Sequence, residues 1–596
     1  HQPASSSRVM LSRRWMFALV AAACSVHADG AQTEEDIDAQ LARWRQAAAS
    51  EAKSFAGQVF LPPSVADEWY TVTIAEVSVG YMNTAVTVTP ETVSTMEVMD
   101  VQVSRGTDTS RMAFETVFTE LPLSETEPST ALPEQATRGA VVTMAYDQRF
   151  ANSEVKMSAA FSEGGISLTS YNGEKEHVSE LGLPTEAWLG RMRARLGFTE
   201  RCRSGEKEIV LQTMRPELGP RVVNLTSSFV GLGEVWDGEK MVEASHWSVQ
   251  ISDVPVNMSE AYPVHGPLAC YRMLQMGLDM PFGHLLASLS SKEAALKAAE
   301  DDPSRKLPEL VYTMFVPLSR PIPDVYEASM VLLQVRFKPD KANGNTLELP
   351  SAGYQKVSRL PEDPTQLLVK INLQTPRRAS SAEMADTEFT SPSAMVDSSD
   401  DVVITLAHKV DSQLKALGHV IPTTGKIPPS SQIELVYALR DLVHNHISEK
   451  HLSTAYASAS ETARTGSGDC TEHAVLLAAL LKARRVPARV CHGLVYVEQG
   501  GSAISGEAGG ATVNADGSTA ASALGQFGWH MWTQALVNGK WMDLDATLHV
   551  PYSVGHVLVG TSSMSDKEAH NNHMQMAALI GNLEIDLLEF SHEWRK

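Results

Sequence analysis

The segment Gly468-Asp469-Cys470-Thr471-Glu472-His473 runs directly into Ala474, Leu477, Ala478 and Leu481. That spacing predicts a helix beginning at Cys470, with Asp469 as its N-cap, Glu472 at its third position and a stop at Arg484, Arg485 and Pro487. A thiol at a helix N-terminus meets unpaired backbone N–H groups and the positive end of the dipole, which favour a thiolate. Asp469 opposes this with its own charge, so a neighbouring imidazolium becomes important. Taken alone, a cysteine opening an Ala/Leu helix is more often a small buried hydrophobe than a nucleophile.

The imidazole is supplied by Phe527-Gly528-Trp529-His530-Met531-Trp532, within a strand-like run that reaches Val537. Asn538-Gly539 then joins it to Lys540-Trp541-Met542-Asp543-Leu544-Asp545-Ala546-Thr547, the pattern of a two-residue type I′ hairpin. With Val537 opposite Lys540, counting outward places Trp532 opposite Asp545 and His530 opposite Thr547. Asp545 then lies on the face of His530 and diagonal to it, within reach of two polar side chains, while Asp543 lies further along. Chemistry on an amide needs a nucleophile, a base in reach of it and a group that orients the base. Cys470, His530 and Asp545 provide these types in that order.

The motifs G-D-C-T-E-H-A, R-x-P-A-R-V, F-G-W-H-M-W and W-M-D-L-D-A-T resemble the core of the bacterial transglutaminase-like family over roughly residues 400–562. The resemblance implies an α+β papain-like fold in which Cys470 attacks a carboxamide or peptide carbonyl, His530 carries the proton and Asp545 holds His530. It also implies protein or peptide substrates, with amines as acceptors if the thioester is resolved by transamidation. If water resolves it, the enzyme is a peptidase or amidase. Ala546 stands where the family often has proline. No side chain is matched to an oxyanion-stabilising group; Trp529 and Trp532 are candidates for that role or for lining a substrate groove. A non-catalytic exported binding or scaffold protein is the reading from another class, and the three residues together argue against it.

The positioning elements lie in a chain of 596 residues, long enough for several cores. Residues 10–28, with Arg13 and Arg14, an apolar run to Cys24 and an Ala28 exit, have the order of a secretory signal peptide, so the protein is expected to be exported to the periplasm or beyond. Lipid anchoring at Cys24 is the weaker alternative, the usual leucine three residues earlier being absent. No downstream apolar run reaches the about 20 residues needed to span a bilayer. Residues 29–64 are expected to hold a helix with Ile37, Leu41 and Trp44 on one stripe. From 65 to 265 the apolar period becomes two, which predicts an antiparallel β-rich module; 266–375 reads as a second, mixed but β-rich segment. Residues 376–401 have linker composition, 402–570 form the catalytic unit and 571–596 a C-terminal tail. Within the catalytic unit, Ser431-x-x-Glu434 reads as a capping box and residues 498–526 as a Gly/Ala/Ser-rich loop. The whole is a multidomain chain of β-rich antiparallel N-terminal modules followed by an α+β papain-like domain.

The formal charge of −22 repels phosphate backbones and argues against nucleic acid as partner. No phosphate-loop or dinucleotide fingerprint indicates a cofactor. No paired Cys-x-x-Cys indicates structural zinc, and His570-x-x-His573 lacks an acidic or cysteine companion. In an exported protein Cys202 and Cys270 either pair or remain two buried thiols, and Cys491 reads as a core residue.

Overall fold

The computed structural model describes residues 39–46 and, with short breaks, 65–593; the longest breaks are 123–140, 498–524 and 567–578. The signal segment, Cys24, the glycine-rich stretch 498–524 and His570 and His573 lie outside the described residues.

The alternation that begins at Val65 builds a 14-stranded antiparallel sheet. From Val65–Ile74 the strands follow one another in chain order out to Glu176–Leu181. On its other side Val65–Ile74 pairs with Gly283–Ser290, from which the strands run back in reverse order to Glu208–Met214. The two arms therefore meet at the first and last strands of the region. The expected boundary near 265 is too early for this sheet. Gln275–Met280 and Gly283–Ser290 complete it because Leu285, Ala287 and Leu289 bury against Tyr70, Val72 and Ile74. The helix Arg191–Arg203 covers the Glu208–Met214 end, held there by a disulfide from Cys202 to Cys270. Residues 39–46 are helical, with Leu41 and Trp44 buried beside Phe229 and Trp247.

A second, four-stranded sheet orders Gln355–Arg359, Leu367–Asn372, Met330–Phe337 and Leu583–Ser591. Part of the expected C-terminal tail is thus a strand. Leu583, Ile585 and Leu587 alternate inward and need the Val331, Leu333 and Val335 face to leave water. The same core continues into Leu494, Tyr496, Phe527 and Val557 of the third sheet, so the sheet formed by residues 330–372 and the C-terminal strand packs directly on the candidate catalytic region.

That third sheet orders Val316–Pro317, Gln526–Val537, Ala488–Val497 and His556–Ser562, with Lys540–Leu544 as the hairpin partner of Gln526–Val537. Helix Cys470–Ala483 lies against it, with Val475 to Leu481 fully buried. Helix Pro429–His446 packs alongside, burying Leu435, Val436, Leu439 and Val443. Ser431 is inside this helix rather than its cap, because Pro428 precedes the first turn; its hydroxyl accepts from the Val420 N–H at 3.1 Å.

Residues 376–401 are not a solvated linker. Ser393 to Val396 are buried, Glu383 bonds to Arg489 and the Trp541 indole, and Asp397 accepts from the Ser460 N–H. The Ser/Asp composition that suggests solvation serves here as caps and acceptors for the neighbouring helices and strands. No described helix is long and apolar enough to cross a membrane.

Candidate active site

Asp469 caps the cysteine helix by accepting from the Thr471 N–H at 2.9 Å, and Glu472 returns to the Asp469 N–H at 2.8 Å. This reciprocal box fixes the first turn and places Cys470, partly accessible, at its first position. Gly468 is required just upstream. Its φ is +154°, and a Cβ there would meet the Glu472 Cβ at 2.3 Å. Glu472 is fully buried and also accepts from the Ala457 N–H; burial first, and the Asp469 charge second, push its carboxyl well above the usual range. The helix is tied to the histidine strand by the Thr533 hydroxyl, which donates to the Ala474 carbonyl at 2.9 Å.

The hairpin has the expected register, Val537 opposite Lys540 and Thr533 opposite Leu544. Regular pairing ends there, and Asp545 begins a turn. His530 and Asp545, both at 0% exposure, bond through Nε2 and Oδ2 at 2.7 Å. Asp543 instead accepts from the Trp532 indole and the Gln534 amide, each at 2.8 Å, and from the Tyr354 N–H. The two acids share a face, but only the outer one reaches His530.

Burial would lower the His530 pKa. The charge and hydrogen bond of Asp545, with the effect of Cys470 added, outweigh it and push His530 up to about 10. Its Nδ1 is buried and makes no hydrogen bond, while the nearby Cys470 thiol adds to the rise in the ring's pKa. For Asp545, burial raises the pKa, but the charge and hydrogen bond of His530 and the bond from His556 hold the carboxyl well below the usual range. Its second oxygen accepts from the Thr547 and Leu548 N–H groups at 2.7 and 3.3 Å. Arg440, buried on helix Pro429–His446, donates to the carbonyls of Asp545, Leu548 and Val550, and His444 donates to that of Ala546. The turn that carries the acid is thereby clamped.

Trp532 is 1% exposed and its N–H is committed to Asp543, so it neither lines a groove nor donates to an oxyanion. It packs instead beside His530 and His556. Trp529 is half-buried at the edge of the core shared with the second sheet. Cys491 is fully buried beside Trp532, and burial pushes its thiol up. Arg440 and His444 carry no sequence signal beyond helical periodicity, and the backbone carbonyls they hold at the aspartate turn are about a hundred residues away.

His556, Asp545 and His530 are the described residues whose arrangement comes nearest to a metal set, with their donor atoms within 4.8 Å of one another. Both ring-to-carboxylate contacts have hydrogen-bond lengths, 2.7 and 3.0 Å, and account for the cluster without an ion.

No curated protein matches the chain significantly. Among solved structures it is similar to a beta-barrel-like protein of a domain of unknown function from Brucella abortus, at 12% identity, covering 39% of this chain and 98% of that one, with a TM-score of 0.27. It is also similar to a candidate cysteine protease from Cytophaga hutchinsonii, at 15% identity, covering 46% of this chain and 86% of that one, with a TM-score of 0.22. The family model of the transglutaminase-like superfamily matches residues 422–546, which hold the cysteine helix, the histidine strand and the aspartate turn. Over those residues the chain carries a transglutaminase-like domain.

Proposed function

We propose that the protein is a cysteine-dependent enzyme acting on protein or peptide amides through a thioester at Cys470. The observation that carries this reading is the division of the His530 ring, whose Nε2 is held by Asp545 while Nδ1, buried and without a hydrogen bond, is available to the Cys470 thiol that acts on the same ring. In the proposed cycle the thiolate attacks the amide carbonyl carbon. The resulting oxyanion is met by the Cys470 N–H, which as the first of the helix has no intrahelical acceptor. The C–N bond then breaks as His530 delivers its proton to the departing amine, leaving the acyl group on sulfur. A second amine or water attacks the thioester, gives its proton to His530 and restores the thiolate. Asp545 keeps its charge throughout and fixes the ring. The amine route makes the enzyme a transamidase that crosslinks proteins; the water route makes it a peptidase or amidase. The order of basic, apolar and small residues over 13–28 supports an exported enzyme.

The test is alkylation of the intact protein by iodoacetamide, with Cys470→Ala as control. Cys470 should alkylate far faster than the buried Cys491, and His530→Ala should slow Cys470 itself. Equal rates at the two thiols, or indifference to His530→Ala, defeat the proposal. Mass spectrometry of glutamine peptides incubated with a primary amine then separates transamidation from hydrolysis.

A further inference from the structure

His556 is a fully buried histidine that the proposed reaction does not use. It stands on the strand His556–Ser562, two strands from His530 in the same sheet, and reaches across the intervening strand Ala488–Val497 to the same carboxylate oxygen. Its Nε2 lies 3.0 Å from Asp545 Oδ2, the atom that His530 Nε2 meets at 2.7 Å. On its other side Nδ1 lies 3.1 Å from the Ser553 carbonyl and 3.3 Å from the Ser553 hydroxyl. The ring stacks on Tyr552 at 4.3 Å and meets Trp532 edge-on at 5.2 Å. A glycine makes room for this group. Gly493 faces His530 on the intervening strand, and a Cβ there would meet the Val557 carbonyl oxygen at 2.0 Å and the Trp532 ring at 2.8 Å.

Resting on the reading of Cys470 and His530 above, we propose that His556 is a positioning residue, which locks the Asp545 carboxylate by donating to Oδ2 and so sets the angle at which His530 meets Cys470. The two Asp545 oxygens have different restraints. Oδ1 is pinned by the Thr547 and Leu548 N–H groups of its own turn, which move with it. Oδ2 is held from the neighbouring strands alone, by His530 and His556. Without His556, Oδ2 is held by His530 alone, and the line from Oδ2 to the ring loses the one restraint that comes from another strand. A second donor on Oδ2 also shares the charge that His530 would otherwise meet alone. The titratable groups around His556 are Asp545 on its turn, Tyr552 beyond that turn, His530 on the histidine strand and Asp543 on the hairpin strand Lys540–Leu544.

The experiment measures the iodoacetamide rate of Cys470 in the full chain across pH 5–10, for wild type, His556→Phe, His556→Gln, Asp545→Ala and the Asp545→Ala/His556→Phe double variant, with folding checked by thermal melting. Glutamine can place an amide N–H close to the position of the imidazole Nε2; phenylalanine keeps the stacking and removes the donor. The expected result is a roughly tenfold slower rate in His556→Phe with its alkaline limb moved to higher pH, recovery to within about threefold in His556→Gln, and no further loss when His556→Phe is added to Asp545→Ala. The proposal is overturned if folded His556→Phe keeps the wild-type rate and limb, if the phenylalanine and glutamine variants fall equally, or if His556→Phe slows Asp545→Ala as much as it slows wild type. Should His556→Phe not fold, His556→Gln decides against Asp545→Ala: a glutamine variant as slow as the alanine variant overturns the proposal. Failure of the underlying reading has a different signature, a wild-type rate that His530→Ala leaves unchanged.

Discussion

The 14-stranded sheet and the transglutaminase-like region bury ionisable groups for different ends. In the first, the buried acids are staples: Glu120 accepts from the Met192 N–H and pairs with Arg193, and Glu68 pairs with Arg195, so each fixes the helix Arg191–Arg203 to the sheet. In the second, Arg440 holds the turn of Asp545, Asp545 holds His530, and the other nitrogen of His530 makes no hydrogen bond, with the partly accessible Cys470 thiol acting on the same ring. Burying charge costs several kcal/mol per group unless it is paired and hydrogen-bonded. A set of buried charges that ends at an accessible thiol is therefore an arrangement that folding alone does not require, whereas a paired acid under a helix is explained by the helix it holds.

The comparison breaks most readily at His530. Changing it to alanine should slow Cys470 alkylation at neutral pH by about 10²-fold or more, while Glu120→Gln should leave that rate within twofold; a large loss in the second variant would show that the two regions are not separable. Asp545→Ala should slow alkylation by roughly 10–100-fold and destabilise the region by about 3–5 kcal/mol, because it strands His530 and two backbone donors in the core; urea melts check the second effect. Replacing Cys202 and Cys270 together by alanine should cost about 2–5 kcal/mol of stability in the first region, with no change at Cys470.

A further test uses pH. His530 has a folded pKa of about 10, above its ordinary 6.5, so its pairing stabilises fully below the unfolded value and fades as pH rises from about 6.5 toward about 10. The low Asp545 pKa acts in the opposite direction, giving stability above the unfolded carboxylate range that is lost as pH falls through it. Melting of the wild type should therefore decline between pH 7 and 10 by more than that of His530→Gln; parallel curves would remove the imidazolium–carboxylate pair from the account. The smallest effect is expected from Thr533→Val, which deletes the hydroxyl bond to Ala474 at nearly constant volume and should cost about 1 kcal/mol with a several-fold loss at Cys470.

Local pattern was enough wherever the relevant physics is local. Period-two alternation announced the strands from Trp69, Asp469 as N-cap before an Ala/Leu stripe announced the start of the cysteine helix, and Asn538-Gly539 set a register that puts Asp545 rather than Asp543 beyond the last pair, diagonal to His530. Composition misled at 376–401 and at the C-terminal strand, because serine and aspartate serve as caps as readily as they face water, and a strand's partner is chosen by complementary apolar faces that are remote in sequence. The sequence by itself determined which residue types stand at the helix start and on the hairpin, since capping, turn geometry and side-chain alternation act over a few residues. Only the tertiary structure decided that the helix and hairpin meet through Thr533 and Ala474, that Arg440 clamps the aspartate turn, that Trp532 is spent on Asp543 and that His556 shares Asp545 with His530, because each of these is a contact between segments whose approach is fixed by packing rather than by any local rule.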